Sequence, residues 1–279
     1  MIKPKTILSI LVLLLLGTNI YAQVKPVAAS SDSSFKIFKT INGVFNTVNV
    51  DILGNIYLLT ETNRLKKLNS NGDSLSNYND VKKFGTVSYI DAINPLKVLL
   101  YYKNYSTVVI LDRQLALRSS INFRKQNIFK VKTIATSYDN NIWIFDEQDF
   151  KLKKIDDNGI TLSETTDMRQ VFEKAPTPTK IIDNENSIYL YDKLMGLFVF
   201  DYYGSLKQQI PIKGWTNIAV VNNIIMGITT DTLNNLNLKT LVTKTYKLPA
   251  FFNGYKDIIA LNGKIYLLKK ASLEIYTIQ

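Results

Sequence analysis

The strongest constraint on the fold is a sequence pattern that recurs six times along the chain. Each copy places an apolar residue, the anchor, at the start of a short hydrophobic stretch such as GNIYLLT or NNIWIFD. The anchors are Ile56, Val98, Ile142, Ile188, Ile224 and Ile265. They are 36 to 46 residues apart, and a four-stranded propeller blade takes about 40–50 residues. The sequence therefore predicts a β-propeller.

Each copy continues with a polar tip, a third strand and a tight turn. The third strands are predicted at RLKKLN, TVVILD, KLKKID, GLFVFD, TLNNLNL and SLEIYTI. Four of these stretches end in Asn or Asp, and Gly72, Gly159 and Gly204 follow three of them closely. Asn and Asp side chains bond to their own backbone two residues on, and Gly accepts positive φ. A fourth strand then completes each unit.

The two ends of the repeat region complement each other. The last unit has only three strands before Gln279, while SFKIFKTI, residues 34–41, precedes the first unit. A closed ring removes exposed sheet edges. We therefore predict one all-β domain over residues 34–279, a six-bladed β-propeller with four antiparallel strands per blade. The N-terminal strand would complete the last blade.

The N-terminus has the layout of a secretory signal peptide. Lys3 and Lys5 precede an apolar run from Ile7 to Leu16, and Ala22 stands before Gln23. This run of about ten residues is shorter than the roughly 20 that a transmembrane helix needs. We predict a signal peptide over residues 1–22 that is cleaved near Ala22–Gln23, a short flexible segment over 23–33, and a periplasmic or secreted protein without a transmembrane anchor.

Composition narrows the possible chemistry. The chain has neither Cys nor His, which excludes disulfides, thiolate nucleophiles and imidazole bases or ligands. Removing Lys3 and Lys5 leaves 34 − 2 = 32 basic residues against 23 acidic ones, a charge of about +9. Charge alone does not indicate nucleic-acid binding in an exported protein, so an envelope protein or an anionic envelope polymer is the expected partner.

One stretch is rich in carboxylates. NIWIFDEQDFKLKKIDDNG contains Asp146, Glu147, Asp149, Asp156 and Asp157. A hard cation or an acid/base pair would need such groups. However, the other copies of the repeat keep the same rhythm without these carboxylates. We therefore interpret Asp156 and Asp157 as part of the turn after the third strand, and the other three as a polar tip.

The first unit resembles the NHL repeat. VDILGNIYLLTETNRLKKLNSNG matches its pattern at Asp51, Gly54, Asn55, Tyr57, Asn63, Arg64 and Gly72. The last unit, NGKIYLL, is similar to both NHL and YWTD repeats. The resemblance implies the broad six-bladed propeller class, which includes lactonases, lyases, dehydrogenases and interaction modules, so it does not choose a function.

An aromatic residue precedes or begins each predicted innermost strand. These residues are Phe45, Phe84, Phe129, Phe172, Trp215 and Phe252. Basic residues lie near several of them: Lys82, Lys83, Arg124, Lys125, Lys130, Arg169, Lys174 and Lys213. Two interpretations remain open. The aromatics could pack between blades as core, or they could form a basic, aromatic mouth that binds a partner.

These observations favour a non-catalytic binding or scaffold module of the cell envelope that needs no cofactor. Two alternatives are a lactonase-type hydrolase or lyase with a carboxylate-bound Ca²⁺ in the central channel, and a binder of an anionic glycan.

Overall fold

A computed structural model describes residues 35–278. They form six four-stranded antiparallel sheets. Blade one contains β2 (Phe45–Val50), β3 (Ile56–Thr60), β4 (Leu65–Leu68) and β5 (Ser74–Tyr78). Blade two contains β6 (Tyr89–Asp91), β7 (Val98–Tyr102), β8 (Thr107–Leu111) and β9 (Leu117–Asn122). Blade three contains β10 (Val131–Thr136), β11 (Ile142–Asp146), β12 (Lys151–Ile155) and β13 (Thr161–Glu164).

The second half of the chain repeats the arrangement. Blade four contains β14 (Lys180–Asn184), β15 (Ser187–Asp192), β16 (Gly196–Phe200) and β17 (Leu206–Ile210). Blade five contains β18 (Thr216–Val221), β19 (Ile224–Ile228), β20 (Thr232–Asn237) and β21 (Thr243–Lys247). Blade six contains β22 (Asp257–Leu261), β23 (Lys264–Leu268), β24 (Ser272–Ile278) and β1 (Phe35–Asn42).

Helical structure is confined to connections. The short helices are α1 (Val81–Phe84) and α2 (Met168–Val171). Three 3₁₀ turns cover Lys103–Tyr105, Phe123–Gln126 and Ala250–Phe252. No helix within residues 35–278 is both long and apolar enough to cross a bilayer.

The predicted ring closure is confirmed. β1 is the outer strand of blade six and pairs antiparallel with β24, from Phe35 opposite Ile278 to Asn42 opposite Ser272. The Phe35 ring packs edge-on against Phe252 at a centroid distance of 5.3 Å. The predicted first strand residue, position 34, lies outside the described residues, and so do the predicted signal peptide over 1–22 and flexible segment over 23–33.

The hydrophobic core is divided among the contacts between blades. Six clusters of buried side chains occur in the described chain, and each includes residues from adjacent blades. The second and third strands of each blade carry most of its buried side chains, since they lie in the middle of the sheet and contact neighbouring sheets. The near-continuous apolar runs of β7, a second strand, and β16, a third strand, follow from this position.

Five of the six anchors are buried as predicted, but the anchor of blade five is wrong. Ile224 is 40% exposed, whereas Ile225 is fully buried. Ile224 pairs with Val221 directly beside a two-residue turn. In blade six Lys264 takes this position and Ile265 is the anchor. Two adjacent isoleucines left the register undecided in the sequence, and the turn geometry selects the second.

The predicted turn chemistry recurs after the third strand of blades one to five. In each blade a side-chain oxygen accepts hydrogen bonds from two backbone N–H groups two to four residues further on. The residues that supply this oxygen are Asn69, Asp112, Asp156, Asp201 and Asn237. These turns reverse the chain without help from the neighbouring blade.

The motif in blade one that resembles NHL repeats forms a buried hydrogen-bond cluster. Asp51 is fully buried and accepts from the backbone N–H groups of Leu53 and Asn55, both at 2.9 Å. It also accepts from the Asn55 side chain at 2.8 Å and the Tyr57 hydroxyl at 3.0 Å. Gly54, with φ of 82°, permits the turn between them. These bonds explain why the four residue types occur together.

Antiparallel strands give the ring two distinct faces. Connections from the fourth strand of one blade to the first strand of the next lie on one face, together with the turns between second and third strands. We call this the loop face. The turns between first and second strands and between third and fourth strands lie on the opposite face, which we call the turn face.

Removal of residues 34–41 is expected to destabilise the whole ring. It exposes Phe252 and the backbone edge of β24, and the lost apolar burial is worth roughly 3–6 kcal/mol. In a domain of this size that corresponds to a fall in Tm of about 10 °C. Differential scanning calorimetry of the trimmed and untrimmed proteins measures this difference in Tm.

The matched control is Lys36→Ala combined with Thr40→Ala, which alters exposed side chains of β1 but keeps its backbone. An unchanged Tm after the trim would contradict the closure.

Candidate functional site

The structure places the six aromatics in different environments. Phe45, Phe84, Trp215 and Phe252 are buried, and Phe172 is half-buried with its ring edge-on to Phe198. Phe84 packs against Tyr102 at a centroid distance of 5.2 Å. The four buried rings are therefore unavailable to a partner.

Phe129 differs from the other five because it is 54% exposed. Its neighbours Ile128 and Phe123 are buried instead, and Phe123 packs on Tyr101 at 5.7 Å. The 3₁₀ turn at Phe123–Gln126 places Phe123 between blades two and three. This leaves Phe129 pointing outward. Sequence spacing alone did not distinguish the two phenylalanines.

The basic residues of the loop face are exposed, and those of blades two and three lie close together. Three segments are in contact here: α1, the turn Lys103–Tyr105 and the segment 123–130. The Tyr105 ring lies against Gly85, and the Phe123 N–H donates to the Ser106 carbonyl at 2.8 Å. The Arg124 side chain also donates to the Ser106 hydroxyl.

We call this surface the basic patch. It consists of Lys82, Lys83, Lys103, Arg124, Lys125 and Lys130, with the exposed rings of Tyr105 and Phe129. Arg169, also predicted as a site residue, lies on the connection between blades three and four. There its guanidinium is paired with Asp167.

The carboxylate-rich stretch is confirmed as turns and tips. Asp156 closes its turn through backbone N–H groups. Asp157 pairs with the buried Lys97. Glu147 faces Lys130 and Lys132. Each carboxylate therefore has a protein partner.

Asp146 and Asp149 share one cation. Lys153 Nζ lies 2.7 Å from Asp146 and 2.5 Å from Asp149, and both Lys153 and Asp146 are buried. Burial alone would lower the pKa of Lys153, but its hydrogen bonds to these two carboxylates raise it. The Lys153 hydrogen bond lowers the pKa of Asp149. The arrangement is an internal ion pair that stabilises the tip.

A cavity of about 710 Å³ runs along the centre of the ring and is lined by the first strands of all six blades. Strand register divides its wall into levels. At the level nearest the loop face lie Thr47, Tyr89, Lys180 and Asp257, each opposite the equivalent residue of its second strand. The next level contains Asn49, Asp91, Ile182, Ala219 and Ile259.

Three aspartates line the channel, and protein donors hold each of them. Asp183 accepts from the Trp143 indole at 2.8 Å and the Tyr202 hydroxyl at 2.7 Å. Asp257 accepts from the Thr47 hydroxyl at 2.9 Å, the Asn217 amide at 3.0 Å and the Ile258 N–H at 2.9 Å. Asp91 accepts from the Thr136 and Ile93 N–H groups. Burial raises the pKa of Asp91, although these bonds and Lys180 oppose the shift.

Lys180 is the cation that the inner strands contribute to the channel wall, and the exposed Lys193 also lines the cavity from the tip of blade four. Burial lowers its pKa, and the charges of Asp91 and Asp257 oppose that effect only in part. Among residues 35–278, no acceptor lies within ion-pair or hydrogen-bond distance of its amine. The sequence analysis missed this residue, because a lysine at the start of a strand looks like any other surface lysine.

The channel donors fit Ca²⁺ poorly. Calcium takes six to eight oxygen ligands, and no group of three or more carboxylates that could hold a metal ion occurs within residues 35–278. The three channel carboxylates come from blades two, four and six and already accept hydrogen bonds. The ammonium group of Lys180 lies in the same channel and would repel a calcium ion.

No protein-family model matches the chain, and no curated protein matches it in sequence. Solved structures resemble it in fold. The Pan2 WD40 domain of Neurospora crassa has a TM-score of 0.62 at 10% identity, over 90% of this chain and 97% of that one.

Virginiamycin B lyase from Staphylococcus aureus has a TM-score of 0.58 at 12% identity, over 88% and 100%. A Bacteroides caccae protein of unknown function has a TM-score of 0.54 at 10% identity, over 73% and 81%. At such identities the likeness establishes the propeller fold alone, and the resemblance to NHL repeats stays a prediction.

Replacing Lys153 is expected to be costly. Lys153→Met leaves the Asp146 carboxylate buried without its cation, which destabilises by roughly 3 kcal/mol and lowers Tm by several degrees in calorimetry. Lys154→Met is the control, because its partner Asp139 is more exposed and the pair contributes less than about 1 kcal/mol. Equal effects of the two substitutions would contradict the structural role.

Replacing Lys180, in contrast, is expected to stabilise the fold. A group whose pKa is lowered on folding makes folding less favourable below that pKa, since the unfolded state binds the proton more tightly. Lys180→Met removes this cost at pH 7, and a gain of about 1 kcal/mol raises Tm by roughly 2–4 °C. The gain should shrink toward pH 10.5. A fall in Tm at pH 7 would contradict this account.

Proposed function

We propose that this protein is an exported, non-catalytic binding module of the cell envelope that uses the basic patch to hold an acidic partner protein. The observation that carries the proposal is the combination of six exposed cations with two exposed aromatic rings on one side of the loop face. Arg, Tyr and Phe are enriched at protein interfaces, where rings anchor and charges orient the partner.

Most cations of the basic patch keep their charge available. Lys82, Lys83, Lys103, Arg124 and Lys125 form no ion pair with any residue of the described chain, and only Lys130 contacts a carboxylate, that of Glu147. The patch therefore presents net positive charge that a partner can neutralise. Lys83 also lies over the Phe84 ring at 4.8 Å, which holds its position.

The turn face carries carboxylates in several of its turns. Asp73, Asp112, Asp156, Asp157 and Asp201 all lie in turns of the turn face. An acidic partner would be attracted to the basic patch and repelled by these turns.

A protein is favoured over a glycan because the two exposed rings are separated by cations. Tyr105 belongs to a turn of blade two and Phe129 to the connection into blade three. Such scattered anchors fit the side chains of a folded surface. Export rests on the N-terminal sequence pattern.

The test combines light cross-linking in the native cell with affinity capture. The variant Lys83→Glu/Lys103→Glu/Lys125→Glu reverses three charges of the patch. We expect it to lose the partner that wild type captures, with at least a tenfold lower yield. Binding of the purified pair should also weaken steeply between low and physiological salt.

The control is Lys66→Glu/Lys207→Glu/Lys244→Glu, which changes net charge equally at exposed positions of third and fourth strands. It should retain the partner. Capture of the same partner by the patch variant, or its equal loss in the control, would refute the proposal.

A further inference from the structure

We propose that the central channel binds a small amphiphilic monocarboxylate, whose carboxylate meets Lys180 and whose apolar body lies along the walls of blades four to six. This ligand site is separate from the basic patch. It depends on the inner strands alone and not on the loop face.

The volume and the wall of the channel suit such a molecule. A cavity of about 710 Å³ falls in the range of small-molecule sites, roughly 300–1,000 Å³. Beyond the polar level at Lys180 and Asp257, the wall contains Ile182, Ala219 and Ile259. Val221 and Leu261 extend it toward the turn face. An apolar body is therefore buried against apolar side chains, which is favourable.

Lys180 is the group that selects the head of the ligand. Asp257 and Asp91 both use their oxygens to accept from protein donors. The Lys180 amine has no protein acceptor within residues 35–278. Its side chain is half-buried in the wall of the cavity. A charged donor gains most from a charged acceptor, so a carboxylate is preferred to a hydroxyl or an amide.

The neighbouring carboxylates limit the charge of the head. Lys180, Asp91 and Asp257 together carry a formal charge of −1 when all are ionised. A second negative charge on the ligand would add repulsion in a site of low dielectric. The channel should therefore prefer a carboxylate with one charge to a phosphate with two. A cationic head would find both carboxylates already hydrogen-bonded.

The probe is decanoate, and its binding to the mature protein is measured by isothermal titration calorimetry. Decanol, decyl phosphate and decylamine are the matched probes, because they keep the alkyl chain and change only the head group. We expect decanoate to bind at least tenfold more tightly than the other three. Ala219→Phe, which fills the channel, should abolish binding, while circular dichroism reports whether this variant folds.

Lys180→Met is the decisive variant and should weaken decanoate binding at least tenfold without loss of fold. Lys207→Met, at an exposed position of β17, is the control and should bind as wild type does. Asp91→Asn removes a repelling charge and should tighten binding severalfold. The triple Glu variant of the basic patch should bind decanoate normally, which separates this site from the partner surface.

Three results would each overturn the proposal. They are equal binding by wild type and Lys180→Met, no preference of wild type for decanoate over decanol, and no measurable binding of decanoate to wild type.

Discussion

The pairing of β1 with β24 is the contact on which the rest of the ring depends. It joins the two ends of the described chain, with Phe35 opposite Ile278. Without it blade six would have three strands, and Phe252 would lose the ring that covers it. Each interblade cluster is bounded by two complete sheets, so an open blade six would weaken the clusters on both sides of it. A closed ring also leaves only short outer edges for unwanted pairing.

Turn chemistry also decides where charge lies. Turns after the third strand need an Asn or Asp oxygen to close, and antiparallel order places all of them on the turn face. On the loop face, the tips of blades three and four also close through Asp146 and Asp192, while the connections between blades carry the lysines and arginine of the basic patch. The position of these turn carboxylates follows from the local geometry of the turns and from the order of the strands.

Lys180 makes the fold less stable, but it also offers a hydrogen-bond donor to a ligand in the channel. The half-buried Lys180 amine lacks a protein acceptor and its lowered pKa disfavours folding, whereas Asp257 has four nearby donors. The same lack of an acceptor makes Lys180 the strongest unused donor of the channel wall. Residues that weaken a fold in this way often mark binding positions, because a ligand supplies the missing interaction.

The repeat spacing in the sequence determined the six blades, the closing strand and the turns, because strand alternation and Asx turns depend on near neighbours. The sequence also pointed to five of the six cations of the basic patch, but not to Lys103, which lies in a tip that meets them only in the folded ring. It did not determine the anchor in blade five, where adjacent isoleucines are equivalent until the turn sets the register. It could not separate Phe123 from Phe129. Only the tertiary structure brought Lys180, Asp91 and Asp257 together, because they come from three blades and meet only when the ring closes.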